Sequence, residues 1–454
     1  MRISWNLTRT AVRLGLAAAV AGGTAPALDA QIIPAAKQSR PIALTNARIN
    51  TVANGVIENG TIVFADGKIT AIGRDVAIPA NAQRIDVSGK EIYPGLVGAN
   101  SQMGLFEIGG FDVTIDLREL GDFNPNARTH IAFNPETRHL GPTRSNGVLV
   151  TVSAPQGGTV SGLASAMQLD GWTWEEMTLA PEVGLIVNWP SMGGGGRFGG
   201  GFFQQQGNNG ANAQSRYDEA VDRLRNYFAE ARGYRKARQA AADRHETDSR
   251  LEAMIPVLEG RIPVLVNAND LRQIQDAVTW AEQEGVKMVL LGGRDAGYVA
   301  DLLARRQIPV VISTVLDAPG RDWEGYDHVY SLPARLHRAG VKFAIAGGSS
   351  AAYAYRLPYE AGAAISFGLP EEEALKAVTL YPAQFLGFAD RVGSLEVGKD
   401  ATLLITTGNP LEYATIIEQA YVQGRMIDMD DQQRKFFEKY EEKIRQQGER
   451  VIVP

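Results

Sequence analysis

Five histidines make up the whole imidazole inventory of this 454-residue chain: His130, His139, His245, His328 and His337. No two stand close enough to form a short chelating motif. Cysteine is absent, which excludes disulfides, thiolate nucleophiles and Cys-based metal sites. For zinc chemistry, where imidazole is the usual ligand, this is a poor donor set. The carboxylates Glu107, Asp112, Asp116 and Glu119 gather around Arg118. A carboxylate pair beside a cation can do acid–base work, but the run reads first as a solvated loop. His130 and His139 lie in an Asn-, Pro- and Arg-rich stretch, 123–144, and are expected at the surface. His328 and His337 flank Ser331-Leu332-Pro333 and are expected to pack a helix. Ser349-Ser350 follow Gly347-Gly348 at a strand end. A serine nucleophile needs a histidine base and an orienting acid; the sequence has no G-x-S-x-G elbow and places no histidine nearby. Trp172 and Trp174 are expected to pack rather than to line a pocket. The residues point to no catalytic constellation.

The elements that would position these residues fall into three stretches. Hydrophobic residues at 44% and charged residues at 21% are ordinary for a globular protein. A net charge of -6 gives no basic footprint for nucleic acid. Residues 1–30 read as a secretory signal peptide, with Arg2, Arg9 and Arg13 before the apolar run Leu14 to Gly23. That run is shorter than the ~20 apolar residues of a membrane span. The expectation is therefore an exported protein, periplasmic if the source is Gram-negative, with no membrane span once the signal is cleaved. Residues 31–90 are β-rich, with Asp66-Gly67 as a hairpin turn before Lys68–Gly73.

From 91 to 388 the pattern predicts buried strands alternating with helices. The strands include Val148–Val152, Gly184–Asn188, Ile262–Val266, Lys287–Leu291, Ile308–Ile312 and Lys342–Ala346. Near-continuous apolar strands separated by helices imply a parallel sheet covered by helices. Tyr217, Val221, Leu224, Phe228 and Ala231 fall on one face of a helix. The Gly- and Gln-rich run 193–214 before it is expected to be a flexible loop, since it lacks the spacing of a phosphate-binding loop. The β pattern returns over 389–429, and 430–454 reads as a charged helix and tail.

Ile92-Tyr93-Pro94-Gly95-Leu96-Val97-Gly98-Ala99-Asn100-Ser101-Gln102 resembles the segment that opens the barrel in amidohydrolase-superfamily enzymes, where "PGL-(I/V)-D-A-H-x-H" supplies two metal-binding histidines. Val392–Lys399, Leu357–Gly362, Gly368–Leu375 and Thr379–Ala383 are similar to later landmarks of the same superfamily, closest to its imidazolonepropionase-like branch. The resemblance implies an α/β fold: a distorted TIM (β/α)8 barrel plus a small β-sandwich built from both ends of the chain. The family's chemistry uses zinc or another divalent metal, which lowers the pKa of a bound water to about 7.

Matched position by position, Asn100 and Gln102 replace the first two histidines and Asn267 replaces a third. Asn269 occupies a further position that is often histidine. Gly292 stands for another histidine, and Gly348 for the aspartate that would shuttle the proton. No lysine occurs between Lys90 and Lys236 to serve as a bridging ligand. The expectation is therefore no metal and no cofactor, with these six positions forming a degenerate site or a ligand pocket. The functional expectation is a pseudo-hydrolase acting as a binding or partner subunit of an active relative, in a homo- or hetero-oligomer. The alternatives are an active hydrolase of non-peptide C–N bonds or dipeptides with a relocated site, and a periplasmic binding protein for a small polar molecule or peptide.

Overall fold

A computed structural model describes residues 33–191, 210–240 and 246–448. The expected signal peptide, nearly all of the Gly-rich run, His245 and the last six residues lie outside the described residues.

Alternating burial builds the first sheet. β1 (Ile42–Asn50) turns its Leu44, Ala47 and Ile49 inward. It pairs antiparallel with β2 (Val56–Ala65), which pairs with β3 (Lys68–Gly73). Asp66 and Gly67 both have positive φ, 50° and 79°, which is the geometry of a two-residue hairpin turn. β4 (Gln83–Asp86) and β5 (Glu91–Pro94) both run parallel to β1. The chain ends then join: β14 (Leu403–Thr406) pairs with β5, and β15 (Ile417–Val422) and β16 (Arg425–Ile427) extend the sheet. Both ends of the chain thus form one hydrogen-bonded sheet. Phe64 and Tyr421 meet edge to face in its core, with ring centroids 5.1 Å apart.

β5 passes through Gly95 directly into β6 (Leu96–Ser101), the first strand of a second eight-stranded sheet. Its order follows the chain: β6, β7 (Val148–Ser153), β8 (Val160–Gln168), β9 (Thr178–Asn188), β10 (Val264–Ala268), β11 (Met288–Gly292), β12 (Val310–Ile312) and β13 (Phe343–Ile345). β13 returns to lie beside β6, and the Gln102 N–H donates to the Ser349 carbonyl at 2.7 Å, so the sheet nearly closes on itself. Side chains from every strand fill the interior, among them Val97, Val152, Ala164, Ile186, Leu265, Val289, Val311 and Ala344. Such a barrel is a packed core rather than a pore.

The expected alternation of strand and helix fails in the first half of this sheet. β8 runs antiparallel to both β7 and β9, and no described helix separates it from β7. Its sequence, VSGLASAMQ, is buried throughout and nearly free of β-branched residues, so it carries little strand signal. The helix expected around Tyr217 spans Gly210–Ala240 and so begins inside the run expected to be loop. Downstream, the helix Leu271–Glu284 opens with an Asp270/Gln273 capping box and ends at Gly285 in the left-handed conformation, as its sequence signals.

Candidate functional site

In a parallel barrel the carboxyl ends of the strands face one mouth, where such folds place their chemistry. The register places the strand ends of this protein in a row: Asn188 opposite Asn267, Ala268 opposite Gly292, Gly292 opposite Ile312, and Ile312 opposite Ile345. All six positions singled out from sequence lie at or just past strand ends of this mouth. Asn100 and Gln102 are half-buried at the end of β6, and Asn267 and Asn269 are exposed at the end of β10. Gly292 ends β11 with φ +88°, and a Cβ there would lie 2.5 Å from Asn269 Oδ1. Gly348, with φ +89°, donates its N–H to the Ser313 carbonyl at 2.6 Å.

The structure adds Asn188, which sequence reasoning treated only as the end of a strand. Asn267 Nδ2 donates to Asn188 Oδ1 at 3.3 Å. Asn188 Nδ2 in turn donates to the Gly158 carbonyl at 2.8 Å and to Ser161 Oγ at 2.9 Å. The mouth between β9 and β10 is therefore a chain of neutral amides and hydroxyls, able to bind hydrogen-bonding groups without charge.

Other residues named from sequence are dispersed. His130 is buried, not on the surface: its ring lies 5.5 Å from that of Trp174, and its Nδ1 is 3.2 Å from Ser165 Oγ. Ser165 is fully buried and donates its hydroxyl to the Pro181 carbonyl at 2.6 Å, so this Ser–His contact is a packing contact. Trp174 packs, whereas Trp172 is 63% exposed, against expectation. Asp112, Asp116, Arg118 and Glu119 lie on an exposed loop, and Glu107 accepts weakly from Asn134 and Arg138 at 3.3 Å. Ser349 and Ser350 are half-buried, and Ser349 is engaged through its carbonyl to Gln102. His337 is half-exposed near Glu373.

His328 differs from its expectation most. It lies before the helix Leu332–Arg338, is buried, and stacks on Tyr298 with ring centroids 5.6 Å apart. A carboxylate oxygen of Asp295, one of Glu324 and a ring nitrogen of His328 lie within 4.8 Å of one another. Asp295 follows β11, whereas Glu324 and His328 belong to the long loop after β12. Arg321 forks onto Asp295 at 2.8 and 2.9 Å, and Arg294 donates to Glu324 at 2.8 Å. Burial alone would raise the Glu324 carboxyl, but the donations from Arg294 and the Gly320 N–H outweigh it and hold its pKa down to about 2. Asp295, Glu324 and the arginines escaped sequence reasoning because the pairs span 26 to 30 residues. The local signal was only that carboxylates and arginines alternate along both loops.

A nearly closed eight-stranded barrel with a sheet gathered from both chain ends is the architecture that the Pro94-Gly95-Leu96 segment leads to expect. Residues 230–432 match the profile of the amidohydrolase family. An amidohydrolase from Thermotoga maritima has the same fold with a TM-score of 0.74 and 26% identity, covering 85% of this chain and 99% of that one. Molinate hydrolase shares the fold at a TM-score of 0.54 and 16% identity, over 87% of this chain and 96% of that one. The amidohydrolase tasK of Hapsidospora irregularis is 21% identical over 398 residues, 81% of this chain and 39% of that protein. An imidazolonepropionase of Syntrophobacter fumaroxidans is 39% identical over 82 residues, 17% of this chain and 19% of that protein. The chain thus spans less than half the length of these curated relatives. Its fold is that of a solved amidohydrolase, and its second half is similar to the amidohydrolase family.

Proposed function

We propose that this chain is a catalytically degenerate member of the amidohydrolase superfamily, which binds rather than hydrolyses and serves as a partner subunit of an active relative. The observation that carries this reading is the row of strand ends. Zinc takes imidazole, thiolate or carboxylate ligands, and amide oxygens are weak substitutes. Here the row offers amides at Asn100, Gln102, Asn267 and Asn269, and no side chain at Gly292 and Gly348. The Asn267 amide is already engaged with Asn188. These residues do not fit the superfamily's metal.

The placement in the imidazolonepropionase-like branch is part of the same proposal and is supported by the 82-residue match to such an enzyme. So is export: N-terminal sequencing of protein from the native host should start near residue 31. Recovery of this chain from that host in a complex with a metal-bearing amidohydrolase is the expected outcome of gentle purification. A lone monomer would overturn the partner role. Turnover of dipeptides or N-acyl amino acids that falls on Asn267→Ala would overturn the loss of catalysis and favour the active-hydrolase reading.

A further inference from the structure

We propose that Asp295, Glu324 and His328 form a binding site for one divalent transition-metal ion, which ties the loop after β12 to the loop after β11. This site is separate from the strand-end positions and does not rest on the functional reading above.

Three observations carry it. The first is the donor set: two carboxylates and an imidazole, all more than nine-tenths buried, with one ligating atom from each within 4.8 Å of the others. Imidazole with carboxylates is a ligand combination that zinc accepts, and a fourth position remains for water. The second is His328 Nε2, which is buried and has no hydrogen-bond partner among the described residues. A buried polar atom is expected to have a partner, and the Tyr298 ring on its face supplies none.

The third observation is the count of lone pairs. Asp295 Oδ2 accepts from the Leu271 N–H and from Arg321, and Oδ1 accepts from Arg321 alone. Glu324 Oε2 accepts from the Gly320 N–H and Arg294, and Oε1 accepts from Arg321 alone, at 3.3 Å. A carboxylate oxygen carries two lone pairs, so Asp295 Oδ1 and Glu324 Oε1 each keep one. The guanidiniums do not exhaust the negative charge. Arg321 contacts Asp270, Asp295 and Glu324, and Arg294 contacts Asp317 and Glu324, so two cations serve four carboxylates. Arg335, the next cation, donates to the His328 carbonyl and not to a carboxylate.

The full chain, stripped with chelator and dialysed against zinc, tests this. Wild type is expected to retain about one zinc per chain, and its melting temperature is expected to rise on loading. His328→Ala and Glu324→Gln, each shown by circular dichroism to be folded, are expected to bind zinc at least tenfold more weakly. His337→Ala is expected to bind as wild type does. If His328→Ala does not fold, His328→Gln, which keeps a polar group of similar length, takes its place. Zinc at background level in wild type, or full retention by either folded variant, overturns the proposal. Zinc lost from Asn267→Ala instead would place the ion at the strand ends, overturning this site and also the loss of the superfamily's metal centre.

Discussion

At the scale of single residues, Gly292 shows that more than a side chain separates this mouth from a ligand-bearing one. Its φ of +88° lies in the left-handed region, and any Cβ would meet Asn269 Oδ1 at 2.5 Å. Gly292→Ala is expected to destabilise the fold by about 1–3 kcal/mol, and Gly292→His by at least as much, measured by urea denaturation. A histidine restored here would therefore not by itself rebuild a metal site. Gly348 has the same backbone sign but open space around it, so Gly348→Asp is expected to cost only about 1 kcal/mol. Equal costs at the two glycines would show that the clash at 292 relaxes freely. Glu396 gives a pH prediction. Donation from Lys399 and then Ser394 holds its carboxyl below the ordinary range. A depressed carboxylate stabilises the fold above its unfolded pKa of about 4.3, and this contribution fades as pH falls through the folded value. The stability gap between wild type and Glu396→Gln should therefore shrink steadily below about pH 4; a gap that widens on acidification would contradict the assignment. Asn100 and Asn267 were legible as strand-end positions because each directly follows a continuous apolar run, and Gln102 because it lies two residues past Asn100 in the same segment. The contact between Asn188 and Asn267 was not legible, because it depends on the register of β9 against β10, which no local pattern encodes.

At the scale of elements, β8 is the piece that departs from the expected alternation. Ala164 and Ala166 are fully buried between β7 and β9 and point into the barrel. Small side chains there let the antiparallel strand sit among larger neighbours such as Val152 and Ile186. Ala164→Leu or Ala166→Leu is expected to overpack the barrel and cost about 1–3 kcal/mol, seen as a lower denaturation midpoint. An unchanged midpoint would mean that the barrel interior has room to spare. The strand was illegible because its burial on both faces removes the period-2 signal and its small residues remove the composition signal. By contrast, the hairpin at Asp66-Gly67 was legible, since its turn residues are adjacent in the chain.

At the scale of the whole molecule, a buried ion group joins the two sheets. Arg144, just before β7, contacts Asp170, just after β8, at 3.1 Å, and both are about 2% exposed. Arg425 on β16 reaches the same carboxylate at 3.4 Å and its backbone carbonyl at 2.9 Å, and Arg144 also donates to the Asp428 carbonyl. Removing one member of such a group leaves buried charge uncompensated. Asp170→Ala is therefore expected to lose about 3–5 kcal/mol in chemical denaturation, and a loss below about 1 kcal/mol would show that water reaches the arginines. Among the described residues no helix is long and apolar enough to cross a membrane.

The sequence by itself determined the kind of elements, the superfamily resemblance and the residue types at most of the strand ends. Each of those is written in short stretches: an apolar run, a turn pair, a Pro-Gly-Leu before a strand end. The tertiary structure alone decided which strands neighbour which and that one of them is reversed. It also decided that Asn188 meets Asn267, and that Asp295, Glu324 and His328 converge beneath two arginines. Those facts depend on contacts between residues far apart in the chain, whose partners are chosen by packing and charge in three dimensions and leave no spacing to read.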